Sequence, residues 1–348
     1  MPATIFKGRL AAAIENEHLR VTVLRGGGHL AEIFDKHAGV SPLWIPPWPS
    51  IEPSSYDPAK HPGYGADSES NLLAGIMGHN LCLDFFGGPS AEEAAAGLTV
   101  HGEGSVVPYE VNERDGTLVS EAHFPLAQLH FERSIELRDR CLKICESVEN
   151  LAAWDRPIGW TQHVTLGPPF IEKGMTQLRA SVTRSKVSEV DFGVAMHLQQ
   201  SAEFDWPMAP LSAGGVADLR TLTAALPSSE YTSHLCDRRR QDEFFVAYSP
   251  AFHLALAYIW KRADFPWLGM WQENCSRKTP PWNGRTIALG LEFGVSPIPE
   301  SRREMVDRGR LFDVPAYRWI PANGRLEVEY WALTQSADHI PESVVWPE

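Results

Sequence analysis

HFERSIELRDRCLKICESVEN, residues 130–150, alternates apolar and polar side chains with period two, which predicts a strand pair rather than a helix. Further short strand-like runs lie at 18–24, 29–34, 117–124, 242–249, 253–260, 285–293 and 325–333, and most are separated at short intervals by Gly, Pro, Asn or Asp. That punctuation predicts antiparallel meanders, not βαβ units, and so a mainly β sandwich. Two short helices are expected at the surface, at 90–98 with Ser90 as N-cap and at 299–312 with Ser301 in the same role. Cys141 and Cys145 are expected on one face of the strand pair as small apolar fillers, with a redox role as the alternative.

The chain has 348 residues, 43% hydrophobic and 22% charged, enough to bury a large core, and no shift in composition divides it, so one domain over 1–348 is expected. Its net charge of -13 repels a polyphosphate backbone, which argues against a nucleic-acid partner. Lys7 and Arg9 precede any apolar run long enough for a signal segment, and no uninterrupted apolar stretch suits a membrane span. Five scattered cysteines without a metal-finger spacing fit reduced thiols, and a cytoplasmic protein with no membrane association is expected. The aperiodic stretch 41–89 is rich in Pro, Gly and aromatic residues, and reads as a long ordered loop. Trp44, Trp48 and Tyr56 within it either wall a site or seal one end of the sandwich.

Three segments carry acid–base potential. In RTIALGLEFG (285–294), if Ile287, Leu289 and Leu291 face the core, Glu292 shares the opposite face with Ala288 and Gly290, small neighbours that leave space above the carboxylate. A carboxyl withdrawn from water there is a better base near neutrality; the alternative is an exposed Glu on an edge strand. His163 lies in GWTQHVTLGPPF (159–170) and His101 in HGEGS (101–105), where Gly102 and Gly104 would admit a ligand close to the backbone. Each histidine alone reads equally as a structural residue. A metal site built from His79, His101, His163 and Glu292 is a further alternative, without any short ligand spacing to support it. The twelve tryptophans include Trp160, Trp267, Trp271 and Trp282 near these segments, with Gln162, Gln272 and Asn274 as candidate hydroxyl partners.

In the order VTVLRGGGHLAEIFDK, SPLW, HG at 101, the 130–150 strand pair, TQHVTLGPPF, PWLGMWQEN, LGLEF and PANGRLEVEYWAL, the chain resembles the aldose 1-epimerase (galactose mutarotase-like) superfamily over nearly its full length. The resemblance implies a β-supersandwich and cofactor-free interconversion of sugar anomers, with no metal. It implies Glu292 as the base at the anomeric hydroxyl, His163 as the acid at the ring oxygen, and His101 as a substrate contact. His79, Asn80, Asp242, Trp271 and Gln272 are further expected sugar contacts. The chain departs from the superfamily at the central histidine, where QHVTLGPPF replaces an Asn-His-Pro-Tyr-Phe-Asn-Leu type of run, and at Gly269 and Trp271, which stand for a glutamine and a tyrosine. A neutral carbohydrate is the expected partner. A carbohydrate-binding protein without turnover, and a lyase or hydrolase on the same fold, are the alternatives.

Overall fold

Two sheets carry the fold in the computed structural model, which describes residues 4–190, 195–222 and 227–347. The larger has twelve strands, with His79–Asp84, Arg156–Leu166, Ile287–Gly294, Trp267–Asn274 and Ser228–Cys236 side by side near its centre. The smaller has eight, and its middle is Leu254–Lys261, Arg325–Ser336, Cys141–Asn150 and Leu129–Arg138. The pairings within both centres are antiparallel. Among the expected strands, Thr117–Phe124 and Asp242–Ser249 fall on the residues of the strand-like runs. Both expected helices form, as Ala91–Ala95 and Arg302–Arg308. In each the cap serine and a glutamate three residues on make the reciprocal bonds of a capping box.

The 41–89 stretch is more structured than its sequence suggests. It holds a helix, Ser70–Gly75, and the central strand His79–Asp84. All six residues of that strand are buried, so no polar face exists to produce alternation. Ser228–Cys236, buried at all nine positions, escapes sequence reading for the same reason. Cys141 and Cys145 do share a face, but it is the half-exposed outer one; Leu142, Ile144 and Val148 take the core side. All five cysteines are free.

One apolar cluster fills the layer between the sheets. Leu81, Trp160, Val164, Leu289, Leu291 and Phe293 enter it from the larger sheet, and Phe131, Ile144, Phe245, Tyr258 and Trp260 from the smaller. Trp260 stacks on Phe293 with ring centroids 4.4 Å apart. Each fully buried side chain of this size contributes about 2 kcal/mol. Within the layer Glu146 accepts from Arg133 Nε at 2.7 Å, Gln162 Nε2 at 2.6 Å, Trp160 Nε1 at 3.1 Å and Tyr330 Oη at 2.7 Å. Such a network satisfies a buried charge that would otherwise be costly. Because Trp160, Gln162 and Val164 point inward, Thr161, His163 and Thr165 emerge on the opposite face of the larger sheet. The site is built there.

Candidate active site

His163 and Glu292 are register partners on adjacent strands. Leu289, Leu291 and Phe293 turn into the core, so Glu292 shares the other face with Ala288 and Gly290, as the alternation predicts. A Cβ at Gly290 would stand 2.3 Å from Glu292 Oε1, so the glycine leaves the carboxylate its room. His163 Nε2 lies 3.1 Å from Oε1. The two are misaligned for a hydrogen bond, and Oε1 has no hydrogen-bond partner among the described residues. On its other side His163 Nδ1 is 3.0 Å from Thr165 Oγ1.

His101 completes the floor from a loop, with φ +68° and its ring centroid 5.0 Å from that of His163. Its Nδ1 meets the carbonyl of Phe86, which can only accept, so Nδ1 carries the proton and a neutral ring offers Nε2 as an acceptor. Phe86 also stacks on the ring. Burial governs all three groups: Glu292 is 3% exposed, His163 5% and His101 9%. It pushes Glu292 up to about 8. It holds His163 well below its ordinary value, helped by the neighbouring His101, and brings His101 down to about 4. At neutral pH the His163–Glu292 pair therefore holds one transferable proton and no net charge.

These groups lie at the base of a cleft of about 970 Å³. Phe86, Tyr231, Trp271 and Trp282 contribute aromatic walls, and residues 67–69 and 276–279 form the rim. Trp271 stands 6.1 Å from His163, centroid to centroid, and 6.1 Å from Trp282. Trp44 and Trp48 pack behind Trp282 and do not line the cleft, so they support its wall from outside.

The expected contacts divide. His101, His163, Glu292 and Trp271 converge on the cleft. His79 does not: it points between the sheets, 3.0 Å from Gln162 Oε1 and 3.3 Å from Tyr258 Oη. That orientation also removes it from any metal set with His101 and His163. Among the described residues, no group of three or more His, Cys, Asp or Glu side chains is placed to hold a metal ion. Gln162 joins the same inter-sheet network. Gln272 lies on the face of its strand opposite Trp271, beside Met270 Sδ at 3.5 Å. Asn80 is a register partner of His163 but is fully buried, donating to Ser105 Oγ at 3.0 Å. Asp242 starts a strand of the smaller sheet, in register with Lys261, and lies outside the cleft. Gly102 serves packing rather than ligand approach, because a Cβ there would meet the Leu83 carbonyl oxygen at 2.3 Å.

Sequence reading did not single out Tyr231, Phe86, Glu69 or Thr165. Tyr231 belongs to the strand buried throughout; its hydroxyl donates to the Pro297 carbonyl at 3.1 Å and overlies Gly269, where a Cβ would be 2.3 Å away. Thr165 was legible in principle, since residues two apart on a strand share a face.

The two-sheet architecture is the galactose mutarotase-like fold, mostly antiparallel β with few short helices. Among solved structures, a Klebsiella pneumoniae protein provisionally named an aldose 1-epimerase superposes with a TM-score of 0.67 at 13% identity, over 95% of this chain and 80% of that one. A galactose mutarotase-like protein from Clostridium acetobutylicum gives 0.62 at 15% identity, covering 96% and 98%. An Escherichia coli protein, also provisionally named an aldose 1-epimerase, gives 0.62 at 11%, covering 94% and 99%. No family profile and no curated protein matches the chain.

Proposed function

We propose that the protein is an aldose 1-epimerase-like enzyme that interconverts the anomers of a neutral sugar. The observation that carries this reading is the approach of His163 Nε2 to Glu292 Oε1, 3.1 Å apart at the base of a cleft. Anomer exchange needs one proton removed from the anomeric hydroxyl and one delivered to the ring oxygen. The C1–O5 bond then breaks to give the open-chain aldehyde, rotation about C1–C2 presents its other face, and the reverse transfers close the ring. A pair that holds a single proton suits this balance, because it takes one proton as it gives another.

In the ring-opening direction Glu292 acts as base and His163 as acid. This requires the tautomer with an ionised carboxylate and a protonated imidazole, which has the same proton count as the neutral pair. A sugar hydroxyl donating to the unpartnered Oε1 favours that tautomer over the one burial alone prefers. His101 Nε2 accepts from a second hydroxyl, and Trp271 offers a flat apolar face to the pyranose ring.

The test is polarimetry or NMR of a freshly dissolved pure anomer, run across a panel of aldoses. Equilibration should be accelerated by the protein, and Glu292→Gln should slow it by about 10²–10⁴-fold, with His163→Ala also impaired. Saturable sugar binding with exchange at the uncatalysed rate would instead identify a carbohydrate-binding protein on this fold.

A further inference from the structure

Above the acid–base floor, Arg277 is held on several sides. Its Nη1 lies 3.0 Å and 3.3 Å from the two oxygens of Glu69, on the opposite rim segment. Its Nε is 3.6 Å from Glu273 Oε2. The guanidinium lies over Trp282, 4.7 Å from the ring centroid, and 5.9 Å from that of Trp271. Nη2 makes no hydrogen bond among the described residues and is not a buried atom, while Arg277 and Glu69 both line the cleft. A fixed donor and a fixed acceptor thus stand side by side against an aromatic wall.

The charge balance decides what such a pair can bind. Glu69 and Glu273 already counter the guanidinium. The nearby Lys278 ammonium is turned onto the Cys275 carbonyl at 2.8 Å, and Asp67 adds a further negative charge at the rim. A phosphate or carboxylate arriving there finds the guanidinium already countered and, with Glu69, Glu273 and Asp67 against Arg277 and Lys278, three acidic side chains to two basic ones. Two adjacent hydroxyls are better matched, since one accepts from Nη2 while the other donates to the Glu69 carboxylate. Trp271, 5.9 Å from the guanidinium and 6.1 Å from His163, connects this pair to the floor, so a pyranose reacting there turns its far edge towards Arg277.

We infer that Arg277 and Glu69 form a diol-binding subsite that recognises two neighbouring hydroxyls of an uncharged sugar, remote from its reacting carbon, and discriminates against phosphorylated and acidic sugars. This rests on the proposed sugar-binding role of the cleft and names its substrate class and two of its specificity-determining residues.

The experiment is calorimetric titration of the intact protein with methyl glycosides of glucose, galactose and mannose, their 3-deoxy and 4-deoxy analogues, and the corresponding 6-phosphates. These probes cannot change anomer, so binding is read independently of catalysis. At least one parent glycoside should bind, and loss of one remote hydroxyl should weaken it about tenfold to a hundredfold. Arg277→Met, which keeps the stem over Trp282, should weaken the parent by a similar factor and leave the deoxy analogue unaffected; Glu69→Gln should weaken the parent too. Circular dichroism and an Arg277→Lys variant separate lost recognition from lost folding. The inference is overturned if Arg277→Met and Glu69→Gln bind every probe as the wild type does. It is equally overturned if a 6-phosphate binds more tightly than its parent, or if no glycoside binds. Binding with this pattern but no anomer exchange by the wild type would sink the proposed enzyme activity and leave the subsite standing.

Discussion

His163 and Glu292 face each other as register partners in the middle of a twelve-stranded sheet, so the backbone ladder rather than a mobile loop sets the 3.1 Å between Nε2 and Oε1. Groups carried on paired strands keep their separation without an ordering step when substrate arrives. Their shared proton then becomes the controlling variable.

That variable predicts the pH profile of anomer exchange. The active pair carries one proton in total; it loses that proton as pH rises through about 8, where burial places Glu292. It gains a second only well below 6.5, where His163 finally charges. The rate constant kcat/KM should therefore be level through neutrality and fall above pH about 8, by tenfold per unit once the pair is mostly deprotonated. Stopped-flow polarimetry between pH 5.5 and 9.5 measures it; a rate still climbing at pH 9.5 would contradict the single-proton account.

Thr165 should matter through His163. Its hydroxyl, 3.0 Å from Nδ1, can donate to a neutral ring and accept from a charged one, following the imidazole through both states. Thr165→Val keeps the shape and removes this partner. We expect kcat to fall about tenfold with KM little changed, restoration by Thr165→Ser, and an altered His163 tautomer ratio by nitrogen-15 NMR. An unchanged tautomer ratio in the valine variant would assign Thr165 to packing alone.

Gly290 gives a steric test of the same pair. The added methyl of Gly290→Ala would sit 2.3 Å from Glu292 Oε1 and 3.3 Å from Trp271 Cβ, so the carboxylate must rotate away or the strands must shift. A stability loss of about 1–3 kcal/mol and at least a tenfold loss of exchange rate are expected. Retained activity with the same pH profile would mean that the carboxylate has freedom the sheet does not indicate.

Much of this architecture was legible where a strand keeps one wet face. Thr117–Phe124 and Leu129–Arg138 show it along most of their lengths, and Glu292 was placed on its correct face by its apolar neighbours. Legibility failed where both faces are covered. His79–Asp84 and Ser228–Cys236 carry no alternation because no position meets water, which hid a central strand inside an apparent loop and concealed Tyr231. The same double burial misassigned His79 and Gln162. A polar residue in such a strand serves an inter-sheet network as readily as a cleft, and only the parity of the strand, fixed by Trp160 and Val164 entering the core, separates the two. Asp242 failed for another reason: a linear motif does not reveal which of two sheets its strand will join.

The buried histidines give the final prediction, for stability. His29, His79 and His234 are held neutral by burial, each down to about 3, with His101 at about 4 and His163 well below its ordinary value. In the unfolded chain each binds a proton near pH 6.5, so below that pH the unfolded state takes up more protons than the folded one. The stabilisation is whole above 6.5 and is lost as pH falls, by about 1.4 kcal/mol per pH unit for each histidine until its folded value is reached. Glu292 and Glu243 have the opposite sign: burial raises their folded values to about 8 and about 7, so their contributions are lost as pH rises from about 4.5 towards those values, and Glu103, Glu230 and Asp264 are shifted in the same direction. Five histidines outweigh the two most strongly raised carboxyls, and urea unfolding should show a net loss of stability from pH 7 to pH 5. His234→Gln, which keeps a polar group between Ser185 and Thr232, should flatten that slope by about 1.4 kcal/mol per pH unit. A midpoint that does not move between pH 7 and pH 5 would mean that these rings are protonated in the folded protein, and would remove the basis for a neutral His163.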